Sequence, residues 1–218
     1  MTSHQSGVSA DTFIESFPVG PLQCNCVIIG DRASGKAIVV DPGGDAEKII
    51  SILQRENLKL EQIIHTHAHL DHILASGVLK EKTGAELYLH EGDRFLWDGV
   101  SEQCQAFGVP SVTLPKPDHA LNDDQDLACG GGVCLHTPGH TPGSVSFWFE
   151  RSKLLVAGDT LFRRSVGRTD FPGGDFNTLQ RSIQERLYKL DDDAKVITGH
   201  GADTTIGEEK AENPFVNS

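Results

Sequence analysis

At 218 residues with 38% apolar and 23% charged side chains, the chain has the composition of a soluble globular protein, long enough for one large domain. Its formal charge of −12 opposes nucleic acid as a partner, because phosphate binding is largely electrostatic. No apolar run approaches the roughly 20 residues of a membrane helix, so no membrane association is expected.

The opening stretch, through Thr12, is polar and lacks an apolar signal core, so a cytoplasmic location is expected. Residues 1–11 read as a flexible leader and 12–218 as a single domain. The five cysteines, Cys24, Cys26, Cys104, Cys129 and Cys134, are odd in number and contain no Cys-x-x-Cys, which argues against a disulfide framework. Cys24 and Cys26 share one face of an expected strand and read as small buried residues.

Taken along the chain, Cys24 to Gly30 reads as a strand, residues 31–36 as a turn, and Ala37 to Val40 as the return strand. Asp41-Pro42-Gly43-Gly44 breaks it. A helix is predicted from about Asp45, with Ile49, Ile50 and Leu53 on one face. Gln62-Ile63-Ile64 is a short buried strand, followed by a helix from near Asp71 that carries Leu74, Val78 and Leu79. Glu86 to His90 reads as a strand and Gly92 to Trp97 as a short helix. Residues 108–130, rich in Pro, Gly and Asp, read as loops. Strands are predicted at Val133 to Leu135, Val145 to Phe149, Lys153 to Ala157 and Lys195 to Thr198. An amphipathic helix after Asp175 carries Leu179, Ile183, Leu187 and Leu190. The two halves share a weak pattern of strands, a helix, and a strand that ends in a polar side chain.

Those strand ends hold the chemistry. His67-x-His69-x-Asp71-His72 places three imidazoles and a carboxylate within six residues, and His140, Asp159 and His200 stand at three further strand ends. Imidazole with carboxylate suits zinc, iron or manganese, and no cysteine stands among the seven. A closed structural zinc site needs four ligands and favours cysteine, so seven His and Asp point to a two-metal site instead. His65 reads as a packed neighbour or supporting donor rather than a ligand.

This constellation resembles the metallo-β-lactamase-fold hydrolases. The resemblance implies an α/β protein of the four-layer αββα sandwich type. It implies that His67, His69 and His140 hold a first metal, that Asp71, His72 and His200 hold a second, and that Asp159 bridges them. Asp71 and Asp159 are thereby the candidate catalytic carboxylates. Two divalent ions would lower the pKa of a bridging water toward about 7, and the resulting hydroxide would attack the substrate carbonyl. Class B β-lactamases generally use a cysteine ligand at the second metal, which this pattern lacks.

Thr137-Pro-Gly-His-Thr-Pro-Gly-Ser and Gly158-Asp-Thr-Leu-Phe, with the run from Arg163 to Gly174, are similar to glyoxalase II, the hydroxyacylglutathione hydrolases, in a short bacterial form. That implies a small anionic thioester, glutathione-derived, as substrate. A thiolate leaves readily, the thiol pKa being about 8.5. Arg168 stands where larger relatives carry a glutathione-contacting Lys, and Arg163, Arg164 and Arg168 form a basic cluster suited to an anionic substrate; ordinary surface ion pairs are the alternative for these arginines. The C-terminal helical domain of the larger relatives is not expected here, and Thr169-Asp170 replace a tyrosine of the family pattern. The Gly-Arg-Thr-Asp-Phe run is shared with the persulfide dioxygenases, which implies a mono-iron oxidation of glutathione persulfide as an alternative. A third is another metallo-hydrolase acting on an ester or phosphoester.

Overall fold

A computed structural model describes residues 11–217. The expected leader, apart from Asp11, lies outside the described residues.

The first half of the chain supplies β1 (Thr12–Val19), β2 (Cys24–Asp31), β3 (Lys36–Val40), β4 (Lys59–Ile64), β5 (Glu86–His90) and β6 (His119–Leu121), which follow one another across a six-stranded sheet. The second half supplies β7 (Gly132–His136), β8 (Val145–Phe149) and β9 (Leu154–Gly158). A separate hairpin of β10 (Leu161–Phe162) and β11 (Ser165–Val166) follows, then β12 (Lys195–Thr198) and β13 (Thr204–Thr205). Apart from the hairpin, these strands form a five-stranded sheet ordered β13-β12-β9-β8-β7. The helices are α1 (Ala46–Arg55), α2 (Leu70–Ile73), α3 (Ser76–Thr83), α4 (Arg94–Asp98), α5 (Val100–Phe107), α6 (Phe176–Glu185) and α7 (Ile206–Glu212).

The central strands are apolar at nearly every position because both of their faces are covered. Side chains alternate across a strand. Accordingly, Val27 and Ile29 of β2 and Ile38 and Val40 of β3 pack with Phe147, Phe149, Leu154 and Val156 between the sheets. Cys26, Ile28, Ala37 and Val39 point the other way, onto Ile49, Ile52 and Leu53 of α1 and Leu79 of α3. On the far side, Leu155, Ala157 and Val196 pack against Leu179 and Ile183 of α6 and Ile206 of α7. Three apolar layers thus separate helices, sheet, sheet and helices, the expected αββα order.

The repeated pattern is topological. β2 and β3 are antiparallel, α1 crosses over, and β4 returns parallel to β3. In the second sheet β8 and β9 are antiparallel, α6 crosses over, and β12 returns parallel to β9. β4 runs into the histidine cluster and β12 into His200, so each half delivers candidate ligands to the same sheet edge.

Several elements differ from the expectations. β1, not anticipated, pairs with β2 over its full length. The helix expected from Asp71 through Leu79 is divided into α2 and α3. Leu187 lies beyond α6 in a short 3-10 turn, Leu187–Lys189, and Leu190 follows it. α5 and α7 were not anticipated; α7 is capped by Thr205, whose side chain accepts from the Glu208 amide.

Candidate metal centre

The seven candidate ligands come from four strand ends. β4 leads into His67 and His69, α2 carries Asp71 and His72, the loop after β7 holds His140, and Asp159 and His200 follow β9 and β12. The structure brings all seven together. His140 Nε2 lies 3.2 Å from His67 Nε2 and 2.9 Å from His69 Nδ1. On the other side, Asp71 Oδ2 lies 3.0 Å from His200 Nε2 and 3.6 Å from His72 Nε2. Asp159 stands between the groups, its Oδ1 3.5 Å from His72 Nε2 and its Oδ2 3.7 Å from His140 Nε2.

The donor set fits two cations. Three imidazoles that crowd their nitrogens together can satisfy one another only in part through N–H···N hydrogen bonds, whereas one cation accepts a lone pair from all three. His72 Nε2 and Asp159 Oδ1 are buried without a hydrogen-bond partner among the described residues. Buried polar atoms are costly when unpaired, and a cation between these two would satisfy both.

The rings are held from behind. His67 Nδ1 donates to Thr66 Oγ1 at 3.1 Å, His72 Nδ1 to Asp41 Oδ2 at 2.9 Å, and His140 Nδ1 to the Arg168 carbonyl at 2.7 Å. Each contact sets the tautomer and aims Nε2 into the centre. Asp41, at the end of β3 with a positive φ of 50°, also accepts from Thr66 N at 2.7 Å and Thr66 Oγ1 at 2.6 Å. Close packing is required here: a Cβ on Gly199 would lie 1.9 Å from Asp159 Oδ1, and one on Gly43 would lie 1.5 Å from the Asp71 carbonyl oxygen.

A second clamp comes from Asp93, which is fully buried. Its carboxylate accepts from Ala68 N at 3.0 Å, between His67 and His69, and from Thr141 Oγ1 at 2.7 Å and Gly143 N at 2.6 Å, just after His140. One side chain therefore ties the two loops that hold the three-histidine group. Neither Asp41 nor Asp93 stood out in the sequence. Asp41 looked like the start of a turn, and Asp93 carries no motif of its own; the one available signal was a carboxylate at a strand end, for Asp41.

Electrostatics follow from burial and neighbours. Burial, reinforced by the surrounding imidazoles, holds His67 well below its ordinary pKa and takes His69 down to about 3, so both rings are neutral and able to ligate. Burial pushes Asp71 up, but His72 and His200 outweigh it and keep the carboxylate ionised. His200 is raised, chiefly by its hydrogen bond with Asp71. His65, as expected, is a packed neighbour: its Nδ1 donates to the Tyr88 carbonyl at 2.8 Å, its Nε2 accepts from Ser76 Oγ at 2.8 Å, and burial lowers its pKa to about 4.

Cys24 Sγ lies 3.4 Å from His72 Nδ1. That is the side of the ring turned to Asp41, away from Asp71 and Asp159, so the thiol sits behind His72. Burial pushes it up to about 12, which keeps it protonated.

A cleft of about 490 Å³ opens over the centre, floored by His69, Asp71, His140, Asp159 and His200. Of the three expected arginines only Arg168 lines it. Its guanidinium makes two hydrogen bonds of 2.7 Å to the Asp170 carboxylate and stacks 3.7 Å above the Phe171 ring. Arg163 and Arg164 form the turn between β10 and β11, and Arg164 pairs with Glu212.

Residues 19–200 match the metallo-beta-lactamase superfamily. The chain belongs to that superfamily. Hydroxyacylglutathione hydrolase GloC of Haemophilus influenzae is 43% identical over 209 residues, covering 94% of this chain and 98% of the relative. Solved structures agree in fold. BLEG-1 B3 metallo-beta-lactamase is 38% identical with a TM-score of 0.86, over 94% of this chain and 100% of that one. TTHA1623 in a di-iron-bound form is 36% identical with a TM-score of 0.85, over 93% and 100%. ETHE1 from Myxococcus xanthus is 27% identical with a TM-score of 0.74, over 93% and 83%. As a metallo-hydrolase of this superfamily, the chain is a metal-binding protein, with the His and Asp cluster as its candidate centre. Among the described residues no helix is long and apolar enough to cross a membrane.

Proposed function

We propose that this protein is a two-metal hydrolase of thioesters, of the hydroxyacylglutathione class. The observation that carries the two-metal reading is the orientation of Asp159, one carboxylate oxygen toward His72 and the other toward His140. The 43% identity to a hydroxyacylglutathione hydrolase, over nearly the whole of both chains, supports the substrate class.

In this reading His67, His69 and His140 would hold one ion and Asp71, His72 and His200 the other, with the Asp159 side chain standing between the two groups. When bound, the ions supply a Lewis acid for the substrate carbonyl and lower the pKa of water from about 15.7 toward about 7. The chain itself does the positioning. Thr66, Asp41 and the Arg168 carbonyl keep three imidazoles aimed at the centre. Asp71 presents an ionised carboxylate at the cleft floor, where it can accept a hydrogen bond from the attacking water and orient it. The thiolate departs without a strong general acid, in keeping with a thiol pKa of about 8.5. Arg168, paired with Asp170, is the cation that lines the cleft.

The test is a parallel assay on one metal-analysed preparation. Two equivalents of zinc, iron or manganese with release of free thiol from S-lactoylglutathione is the expected result. One tightly bound iron, with oxygen uptake on glutathione persulfide and no thioester cleavage, would establish the persulfide oxidation instead.

A further inference from the structure

We infer that the wall of the cleft is an apolar subsite, so that the enzyme cleaves thioesters bearing an uncharged apolar acyl chain at least as efficiently as a glutathione conjugate. This rests on the thioester-hydrolase reading and names a substrate class for the same site.

The wall is apolar. Leu22, Leu96, Ala106, Phe107, Phe171 and Pro172 face the cleft beside the candidate ligands. Leu22 is 38% exposed and Phe107 48% exposed at its rim. Large apolar side chains left in water around a reactive centre mark a surface that a ligand covers.

The wall is also built rather than incidental. α5 turns Val100 and Cys104 into the core. Gln103, Ala106 and Phe107 lie three and four positions apart, on the face toward the cleft. Gln103 locks that face to the ligand loop: its Oε1 accepts from Leu70 N at 3.0 Å, and its Nε2 donates to the Ala68 carbonyl at 3.1 Å. Both contacts flank His69. Phe107 meets Phe171 edge-on with ring centroids 6.4 Å apart, and Phe171 meets His69 at 5.7 Å. These contacts tie the wall to the loop that carries His69.

Charge in the cleft points the same way. A glutathione arm carries two carboxylates, yet the cleft offers one guanidinium, already engaged by Asp170, and adds the carboxylate of Glu102. An apolar chain needs neither and gains by leaving water.

The reaction is ordinary hydrolysis. The C–S bond breaks and a C–O bond to the water oxygen forms. One water proton ends on the thiolate sulfur, and the other is released as the product acid ionises.

The experiment uses the metal-loaded full chain with S-lactoylglutathione and with acetyl, butanoyl and hexanoyl thioesters of N-acetylcysteamine, a neutral thiol. kcat/KM is expected to rise about two- to fourfold per added methylene, the rise a buried CH₂ produces, and the hexanoyl thioester to match or exceed S-lactoylglutathione. Phe107→Ser and Leu22→Ser, both rim positions, are expected to flatten the chain-length slope. A flat acyl series alongside rapid S-lactoylglutathione cleavage overturns the subsite and leaves the thioester reading standing. A slope unchanged in both variants overturns its assignment to this wall. Cleavage of none of the four thioesters overturns both readings.

Discussion

Asp41 Oδ2 receives the Nδ1 proton of His72 at 2.9 Å, with both side chains buried. The same carboxylate takes both donors of Thr66, whose hydroxyl in turn receives His67 Nδ1. One residue outside the ligand set thus orients an imidazole in each half of the centre. Asp41→Asn puts an amide donor where three donors converge. It is expected to weaken metal binding about 10- to 100-fold, read by competition with a chromogenic chelator. Unchanged affinity would remove Asp41 from this role.

Asp93 clamps the His67–His69 loop to the His140 loop through three short hydrogen bonds. Asp93→Ala leaves three donors buried without a partner, each costing about 1–3 kcal/mol. The expected outcome is a Tm lowered by at least about 5 °C, together with weaker metal retention on gel filtration. Normal metal content at lowered Tm would make the clamp purely structural.

Metal removal should destabilise the fold, because ions held by these side chains would bind only the folded chain, where the four strand ends meet. At a thousandfold excess over Kd the linkage is about 4 kcal/mol per ion, or roughly 8–16 °C in Tm for a chain of this size. Scanning calorimetry before and after exhaustive chelation checks this, with recovery on adding metal. His140→Ala and Asp159→Ala are expected to lose both metal occupancy and turnover; full hydrolysis by either variant refutes the site.

The hydrogen bonds from Arg168 hold the Asp170 carboxyl down at about 2, from an ordinary 3.8. A depressed folded value means that the pair is fully formed above the unfolded pKa and is lost only as the pH falls through about 2. Across the assay range, then, Arg168 stays engaged. The ratio of KM values for anionic and neutral thioesters should be independent of pH between about 5 and 8. Asp170→Asn frees the guanidinium and should lower KM for S-lactoylglutathione about two- to fivefold, with less effect on a neutral thioester.

All five cysteines are free and buried, and burial pushes Cys24, Cys129 and Cys134 up to about 12. The thiolate is the reactive form. At pH 8 the folded protein should react with a thiol reagent at far less than one equivalent, and the urea-unfolded protein at five. Fast labelling of the folded chain would contradict the packing around Cys24.

Much of the candidate site was legible because its candidate ligands sit where local signals are strong. An apolar run that stops at a histidine or aspartate, beside glycine, identifies a strand end whatever follows it in space. The central strands were legible for the same reason: with both faces covered they read as continuous apolar runs. β1 was missed because it is an edge strand whose alternation is weak and interrupted by Pro18. α5 was missed because only Val100 and Cys104 are buried along its length, too few to mark a helical face.

What the sequence by itself supplied was the candidate ligand chemistry: five histidines and two aspartates, Asp159 among them, each placed at or just beyond the end of a strand. Tertiary structure decided how those side chains are used. It turned the two oxygens of Asp159 toward different groups, set Asp41 and Asp93 behind the ligands across 25 to 50 residues of chain, and left Arg163 and Arg164 outside the cleft that Arg168 lines. Hydrogen bonds across such distances leave no periodicity or spacing to read. They exist only when two sheets, each built from its own half, meet at one edge.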